Sequence, residues 1–329
     1  MRAPWLMHEP HQWRPGTVDR VALLLAADQL RANLGFVRAY GQYTEQIQKT
    51  IITNWALSRV MHEMGRCGIT AFTLYLHHSR ETGLWGEVGV TYARVIELFA
   101  AGALTQEGAL ASPSRIKAML GIAEIAGHLE RYSPAEDALG QSSMATKHGR
   151  QDRRLRLLRP TADLTQPSLV WLHSFLQCIE PITPLAMPPE AMVKLPRFLG
   201  EVMSYHVLAY VHDQCTPRED FPWVHQFIQR NGSFLTLLEI MRNVHREDGR
   251  WISSAHPYAL SKRLGVSRNT IRNLLVESEQ KGWLRIVDRG AHRIELSDAF
   301  AQQCERWLAC EMVWMAGLAN AAALRLQSA

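Results

Sequence analysis

The sequence lacks the features by which most enzymes and stapled or metal-bound proteins are recognised. It has five cysteines, an odd number, and no CxxC pair, whereas disulfide scaffolds and closed zinc sites use regularly spaced pairs. No GxSxG, GxxxxGK[ST], HExxH or GxGxxG signature occurs, so the common nucleophile, nucleotide and metalloprotease motifs are missing. We therefore expect a reduced, cytoplasmic protein that is not an enzyme and has no catalytic residues, cofactor or metal.

Long uninterrupted hydrophobic runs are also scarce. The apolar run 21–27 is too short to cross a bilayer, and Glu311 and Arg325 interrupt the apolar stretch 309–326. The N-terminus has no charged region followed by an apolar core, as a signal peptide would. We expect no membrane partner and predict a buried packing helix near the C-terminus.

What the sequence does contain is enough apolar material for two or three domains. Of 329 residues, 47% are hydrophobic, with ten tryptophans and twelve methionines. The formal net charge is +5, a mild excess that permits nucleic-acid binding without establishing it.

One nineteen-residue segment occurs twice. Residues 112–130 align without a gap on residues 267–285, an offset of 155 (267 − 112), and six of the nineteen positions are identical. They are an N-terminal serine, an inward-facing stripe, a glutamate, a C-terminal glycine and a following leucine: Ser112/Ser267, Ile116/Ile271, Leu120/Leu275, Glu124/Glu279, Gly127/Gly282 and Leu129/Leu284. A repeated helix predicts a duplicated domain.

The second copy has the pattern of a helix-turn-helix. Leu260 and Leu264 lie on one face of a short helix ending at Gly265, and Ser267 is placed to cap the next. In such units the second helix enters the DNA major groove, where Arg and Asn can bond guanine and adenine through two atoms each. The predicted contacts on this helix, residues 267–281, are Ser267, Arg268, Asn269, Thr270, Arg272 and Asn273.

The first copy repeats the arrangement with fewer polar residues. We predict a recognition helix over 112–131, with Pro113 at its first position. Its turn, 108–111, is poor in polar side chains, which leaves open whether this unit reads bases or only phosphates. The predicted contacts are Ser112, Ser114, Arg115 and Lys117.

A basic hairpin is predicted after each recognition helix. Residues 147–159 hold six cations and one acid around an alternating strand pattern, and strands at 284–287 and 292–296 flank a tight turn. A charge run alone is equally compatible with a solvated surface, but its position after a helix-turn-helix favours a phosphate-contacting wing. The predicted wing contacts are Lys147, Arg150, Arg153, Arg154, Arg289 and Arg293.

These segments resemble the MarR family of winged-helix transcriptional regulators. The resemblance is carried by SPSRIKAMLGIAEIAGHLE, by Asp152-Arg153-Arg154 with LRLLRPTADL, and by LSKRLGVSRNTIRNLLVESEQKGWLRIVDRG. It covers about 105–162 and 259–299, under a third of the chain. The resemblance implies DNA binding, terminal helices that form a dimer interface, and small aromatic ligands beside those helices. MarR-like proteins are usually homodimers with one winged helix per chain, whereas this chain carries two.

The predicted fold is mainly α with small β-hairpin wings, as tandem winged helix-turn-helix domains in a pseudo-two-fold arrangement. Residues 1–180 form an N-terminal helical region plus the first domain, and 198–329 form the second domain with a C-terminal packing helix. The segment 181–197 holds five prolines and is predicted to be an extended connector.

Aromatic and thioether side chains mark the helices that close each half. Core packing explains them, and a small apolar or aromatic effector pocket is the sharper alternative. The candidate pocket residues are Trp171, Phe175, Trp307, Met312 and Trp314. A zinc site from His206, His212 and Cys215 is disfavoured, because their spacing matches no closed zinc pattern.

The predicted function is sequence-specific binding of double-stranded DNA by a monomeric pseudo-dimer, as a transcriptional regulator. Since the two helices differ in their outward residues, we expect an imperfect palindrome or two unlike half-sites. Two alternatives remain: a plasmid-type replication initiator with tandem winged helices, and a winged-helix protein–protein adaptor.

Overall fold

The computed structural model describes residues 5–6, 17–53, 64–82, 89–101, 112–132, 157–213, 220–230, 232–288 and 292–328, with the backbone only at 51–53 and 64–66. Within these ranges the chain is mainly helical, with two small antiparallel sheets. The helices are α1 (Arg20–Arg31), α2 (Phe36–Thr53), α3 (Met64–Thr82), α4 (Tyr92–Ala101), α5 (Pro113–Ile125), α6 (Ala162–Ile179), α7 (Pro189–Met192), α8 (Phe198–His212), α9 (Pro222–Ile228), α10 (Ser233–Arg242), α11 (Pro257–Leu264), α12 (Arg268–Gln280) and α13 (Asp298–Ser328). The strands are β1 (Leu129–Tyr132), β2 (Leu157–Pro160), β3 (His245–Glu247), β4 (Arg250–Ser254), β5 (Leu284–Asp288) and β6 (Arg293–Leu296).

The second half contains a compact helix and sheet unit. Helix α10 leads through the β3–β4 hairpin to α11 and α12, and β5 and β6 follow. The sheet order is β3-β4-β6-β5, with all neighbours antiparallel. The strand before the two helices therefore pairs with the last strand, not with the one that follows it in the chain.

The first half has the same order of parts. Helix α3 is followed by Val90, by α4 and α5, and by the antiparallel pair β1–β2. Val90 forms a bridge with Leu158 of β2, so its place corresponds to that of β4 beside β6. Residues 102–111 and 133–156, which include most of the predicted first wing, lie outside the described residues.

The two halves interlock. Helix α2 packs against α6, which closes its own half, and against α10 of the second half. Reciprocally, α8 packs against α13, which closes its own half, and against α3 of the first half. Helix α1 also lies along α13, and the Arg306 guanidinium donates two hydrogen bonds, of 2.9 and 2.7 Å, to the Asp28 carboxylate.

Two buried carboxylates stand at the reciprocal helix crossings. Glu201 of α8 is 1% exposed and lies 2.7 Å from the Nε2 atom of His78 on α3. Glu239 of α10 is 5% exposed and accepts a hydrogen bond of 2.8 Å from Gln48 on α2. A buried charge is stable only when it is paired, and each carboxylate pairs with an arginine of its own half, Arg325 for Glu201 and Arg263 for Glu239. The remaining hydrogen bond of each carboxylate then joins it to a helix of the other half.

The sequence predicted an extended connector over the proline-rich segment 181–197, but the segment is not extended throughout. It contains the single helical turn α7, whose first residue is Pro189. Proline suits this position because the first helical N–H needs no partner. The segment is docked on α13: Asn320 accepts a hydrogen bond of 2.7 Å from the backbone of Ala186 and donates one of 3.1 Å to the carbonyl of Pro184.

The C-terminal packing helix α13 spans 31 residues. It is the one helix among the described residues that is long and apolar enough to cross a membrane, but most of that stretch is buried inside the protein. Such burial is that of a core helix in a soluble protein.

Candidate nucleic-acid interface and interior cavity

The duplicated positions have the same structural role in both copies. The hydroxyl of Ser112 accepts the backbone N–H of Arg115, and that of Ser267 accepts the N–H of Thr270. Both serines are therefore N-caps, as predicted. The inward stripes are also buried in both helices: Ile116, Met119 and Leu120 in α5, and Ile271, Leu274 and Leu275 in α12.

Both helices end in the same glycine motif. Gly127 has φ +75° and Gly282 has φ +70°, a left-handed conformation that glycine adopts without a Cβ penalty. The next residue donates its N–H five residues back in each case, from His128 to Ala123 and from Trp283 to Ser278, at 2.9 and 3.0 Å. This is the Schellman ending of a helix.

The predicted extent of the first recognition helix is wrong. The sequence placed it over 112–131, whereas α5 ends at Ile125 and residues 129–132 form β1. The cause is Gly127, whose left-handed backbone ends the helix. The second helix, predicted over 267–281, ends at Gln280 with Lys281 as its C-cap.

The outer face of α12 is polar at its N-terminal end. Arg268, Asn269, Arg272 and Asn273 are exposed, and Arg268 and Arg272 form no ion pair within the described part of the chain. The hydroxyl of Thr270 is within 2.7 Å of the Ser267 hydroxyl, so these two side chains serve the cap. The face thus offers two arginines and two asparagines to a ligand.

Positive charge is concentrated at this end of α12. Partial burial lowers the pKa of the His292 imidazole, and the nearby charges of His256 and Arg268 lower it further. The imidazole rings of His256 and His292 lie 3.8 Å apart, so the turn end of the β5–β6 hairpin lies against the start of α11. Arg289, at the predicted tip, lies outside the described residues.

Arg293 does not point freely from the hairpin. Its guanidinium forms an ion pair of 2.5 Å with Glu247 of β3, and this pairing raises its pKa. Arg293 therefore ties the hairpin to the far strand of the sheet, and its role as a wing contact stays a prediction.

The outer face of α5 differs from that of α12. Ser114, Arg115 and Lys117 are exposed near its start, but Ile122 and Ile125 are 50% and 90% exposed further along. The aligned positions of α12 are Glu277 and Gln280. Lys147, Arg150, Arg153 and Arg154 of the first predicted wing lie outside the described residues.

An interior cavity of about 140 Å³ lies where the halves interlock. Four of the five candidate pocket residues line it: Trp171 and Phe175 from α6, and Trp307 and Met312 from α13. Trp314 lies behind the wall. It stacks on Trp5 with ring centroids 5.0 Å apart and donates a hydrogen bond of 3.0 Å to Nδ1 of His206.

Matching helices of the two halves supply the rest of the wall. Helices α3 and α10 contribute Phe72 and Phe234, and α2 and α8 contribute Tyr43 and Tyr210. The sequence prediction missed these residues, because their helices meet only through long-range packing. Glu311, noted in the sequence only as an interruption of an apolar stretch, also lines the cavity.

No metal centre is formed by the described residues, in which no three His, Cys, Asp or Glu side chains are grouped to hold an ion. His206 is engaged by the Trp314 indole, and Cys215 lies outside the described part of the chain. Comparisons of the chain with protein-family models, curated protein sequences and solved structures gave no match.

Proposed function

We propose that this protein is a sequence-specific, double-stranded DNA-binding regulator of transcription, built from two winged-helix units in one chain. The observation that carries the proposal is the recurrence, at one offset, of a capped helix with a Schellman glycine that runs into an antiparallel hairpin. In winged-helix proteins this helix enters the major groove and the hairpin beside it contacts the backbone.

The topology of the second half supports this assignment. A helix-turn-helix is followed by a hairpin whose last strand pairs with the strand preceding the helices. The exposed Arg268, Asn269, Arg272 and Asn273 are side chains that read base edges by paired hydrogen bonds. The second unit is therefore the principal base reader.

The interlocked helices support a pseudo-dimer. Each half seats a helix on the other half, as two subunits do across a two-fold interface. With one chain carrying both recognition helices, the expected target has two half-sites about 34 Å apart on one face of the duplex. Because α5 exposes Ile122 and Ile125 where α12 has polar side chains, the half-sites are unlike.

The cavity supports regulation by a small effector. Helices of both halves line it, so a bound ligand would favour one spacing of the two recognition helices over another. A ligand can shift that equilibrium only by its difference in affinity for the two states.

The test begins with a selection of bound sequences from random duplex DNA. We expect two unlike half-sites centred about one helical turn apart. In binding assays with the selected site, Arg272→Ala should cost ~1–3 kcal/mol and relax the preference at one half-site, with a smaller loss on random duplex.

Arg246→Ala is the matched control. Arg246 lies in β3, over the Trp251 ring at 3.7 Å, at the end of the sheet opposite the β5–β6 turn, and its removal should leave the base preference unchanged. Equal losses on specific and random DNA for Arg272→Ala would refute the assigned base reading. No binding to any duplex at low salt would instead favour a protein–protein adaptor.

Arg153→Ala tests the predicted first wing. It should weaken binding to every sequence and reduce the salt dependence by about one phosphate contact. If the selected sites are tandem repeats with no paired half-sites, a replication initiator becomes the better description.

A further inference from the structure

Two imidazoles lie in ring contact close to the start of helix α12. The ring centroids of His256 and His292 are 3.8 Å apart, and the backbone N–H of Ala255 donates a hydrogen bond of 2.9 Å to the carbonyl of His292. This bond holds the N-cap residue of α11 beside the residue that enters β6. His256 is exposed and His292 is half-buried, so a ligand can reach the pair from solvent.

The cap of α11 decides which nitrogen of His256 a ligand meets. Nδ1 of His256 accepts the backbone N–H of Ala259 at 3.4 Å. In a neutral imidazole the accepting nitrogen carries no proton, so the proton is on Nε2. His256 therefore offers an N–H donor without becoming charged. The ring of His292 makes no hydrogen bond within the described part of the chain.

The groups around His292 disfavour a positive charge on its ring. Partial burial lowers the pKa of His292, and the charges of His256 and Arg268 lower it further. Asp288 of β5 acts in the opposite direction, and the ring of Tyr258 lies 6.4 Å from that of His256. Because the net effect is a lowered pKa, the His292 ring is uncharged at neutral pH. An anion bound against the two rings would reverse this balance.

The two imidazoles lie between the elements that we propose to contact DNA. Arg268 is the first residue of α12, exposed and without an ion pair in the described ranges, and His292 directly precedes β6 of the second hairpin. The charge of the neighbouring Arg293 is already balanced by Glu247. A helix in the major groove is flanked by phosphates, which take most protein–DNA hydrogen bonds. Donors between such a helix and its wing therefore meet the backbone.

We propose that His256, His292 and Arg268 together bind one backbone phosphate of double-stranded DNA, and that His292 takes up a proton from solvent as this phosphate binds. The inference rests on the proposed DNA binding and adds to it two phosphate ligands and a proton. Since phosphates carry no sequence information, this contact contributes equally to every duplex. The affinity for DNA rises as the pH falls, because the bound state holds more protons.

The experiment measures binding of the full chain to a duplex of random sequence at constant salt. Each proton taken up changes the affinity by at most about tenfold per pH unit, so the affinity should rise ~tenfold between about pH 8 and about pH 6. Calorimetry in buffers of different ionisation enthalpy should report an uptake of about one proton at about pH 6.5.

Asparagine variants separate the two imidazoles. His292→Asn should remove most of the pH dependence, because asparagine cannot be protonated and tolerates the left-handed backbone of this residue, φ +53°. His256→Asn keeps a good N-cap and should weaken binding about fivefold on random and selected duplex alike. His245→Asn is the matched control, because His245 is exposed on β3 at the far edge of the sheet, and it should change neither property.

The inference is overturned if the affinity does not depend on pH, if no proton is taken up, or if His292→Asn keeps the full pH dependence. A loss in His256→Asn that is confined to the selected site would make this residue a base reader and overturn the phosphate assignment. If an asparagine variant does not fold, as circular dichroism would show, the pH profile and proton count of the unsubstituted chain still decide. Binding that is independent of pH refutes this inference alone, whereas a chain that binds no duplex at any pH refutes the proposed function and this inference with it.

Discussion

Substitution of Gly232 by alanine should destabilise the second half more than the same substitution at Gly282. Gly232 precedes α10 with φ +75°, and an added Cβ would lie 2.4 Å from Cγ2 and 2.8 Å from Cγ1 of Val266. Val266 is the buried residue of the turn between α11 and α12. The substitution therefore meets both an unfavourable backbone conformation and a steric clash.

The magnitude follows from separating these two causes. An L-residue in the left-handed region costs ~1–2 kcal/mol, and overpacking a core contact costs ~1–3 kcal/mol more. Gly232→Ala should thus cost ~2–5 kcal/mol. Gly282→Ala provides the backbone cost alone, because Gly282 has φ +70° and no atom within 4 Å of its added Cβ, so it should cost ~1–2 kcal/mol.

The assay is urea unfolding followed by circular dichroism, with Val266→Ala and the double variant completing a thermodynamic cycle. Removing the Val266 methyls relieves the clash, so the double variant should be more stable than the sum of the single losses predicts, by ~1–3 kcal/mol. If Gly232→Ala costs no more than Gly282→Ala, or if the two changes are additive within ~0.5 kcal/mol, the clash is not present in solution.

Three further outcomes are expected. Ser267→Ala should lower the free energy of unfolding by ~1 kcal/mol, measured by urea titration, because it removes the cap of α12. Burial would raise the pKa of the Glu239 carboxyl, but Arg242, Gln48 and Arg263 together hold it below its ordinary value. The stability that this carboxylate contributes is therefore complete above about pH 4.3 and is lost as the pH falls through its depressed pKa. The melting temperature of Glu239→Gln should fall less steeply between about pH 5 and about pH 3 than that of the unsubstituted chain. An equal slope would contradict this. Burial raises the pKa of the Cys178 thiol to about 11, so iodoacetamide at neutral pH should modify it only after unfolding, as peptide mass spectrometry would detect.

The parts of the fold that the sequence predicted well are those decided by local chemistry. The caps at Ser112 and Ser267, the buried stripes and the terminal glycines each depend on residues within a few positions of one another. The strand pair beyond Gly282 was predicted nearly to the residue. The overlong first recognition helix was an avoidable error, because Gly127 carries the same helix-ending signal as Gly282.

What the sequence could not provide is the packing between distant segments. The pairing of Gln48 with Glu239 and of His78 with Glu201 joins residues 191 and 123 positions apart, and no periodicity indicates such partners. The aromatic residues of α6 and α13 led to the prediction of a pocket beside those helices. The residues that α2, α3, α8 and α10 add to its wall could not be predicted, because these helices meet only through packing between the halves. Trp314 was placed in the pocket wall because the sequence does not show which side of α13 faces the pocket.

The contact between the first and last long helices has a consequence for how the chain is made. Asp28 and its partner Arg306 are 278 residues apart, and at ~5–20 residues per second a ribosome needs roughly 14–56 s to supply the second after the first. During that interval the buried face of α1, with Leu23, Ala27 and Leu30, lacks the surface it will finally cover. The native contact can close only after synthesis has reached α13, so a chain truncated before Arg306 would leave the buried face of α1 without its partner.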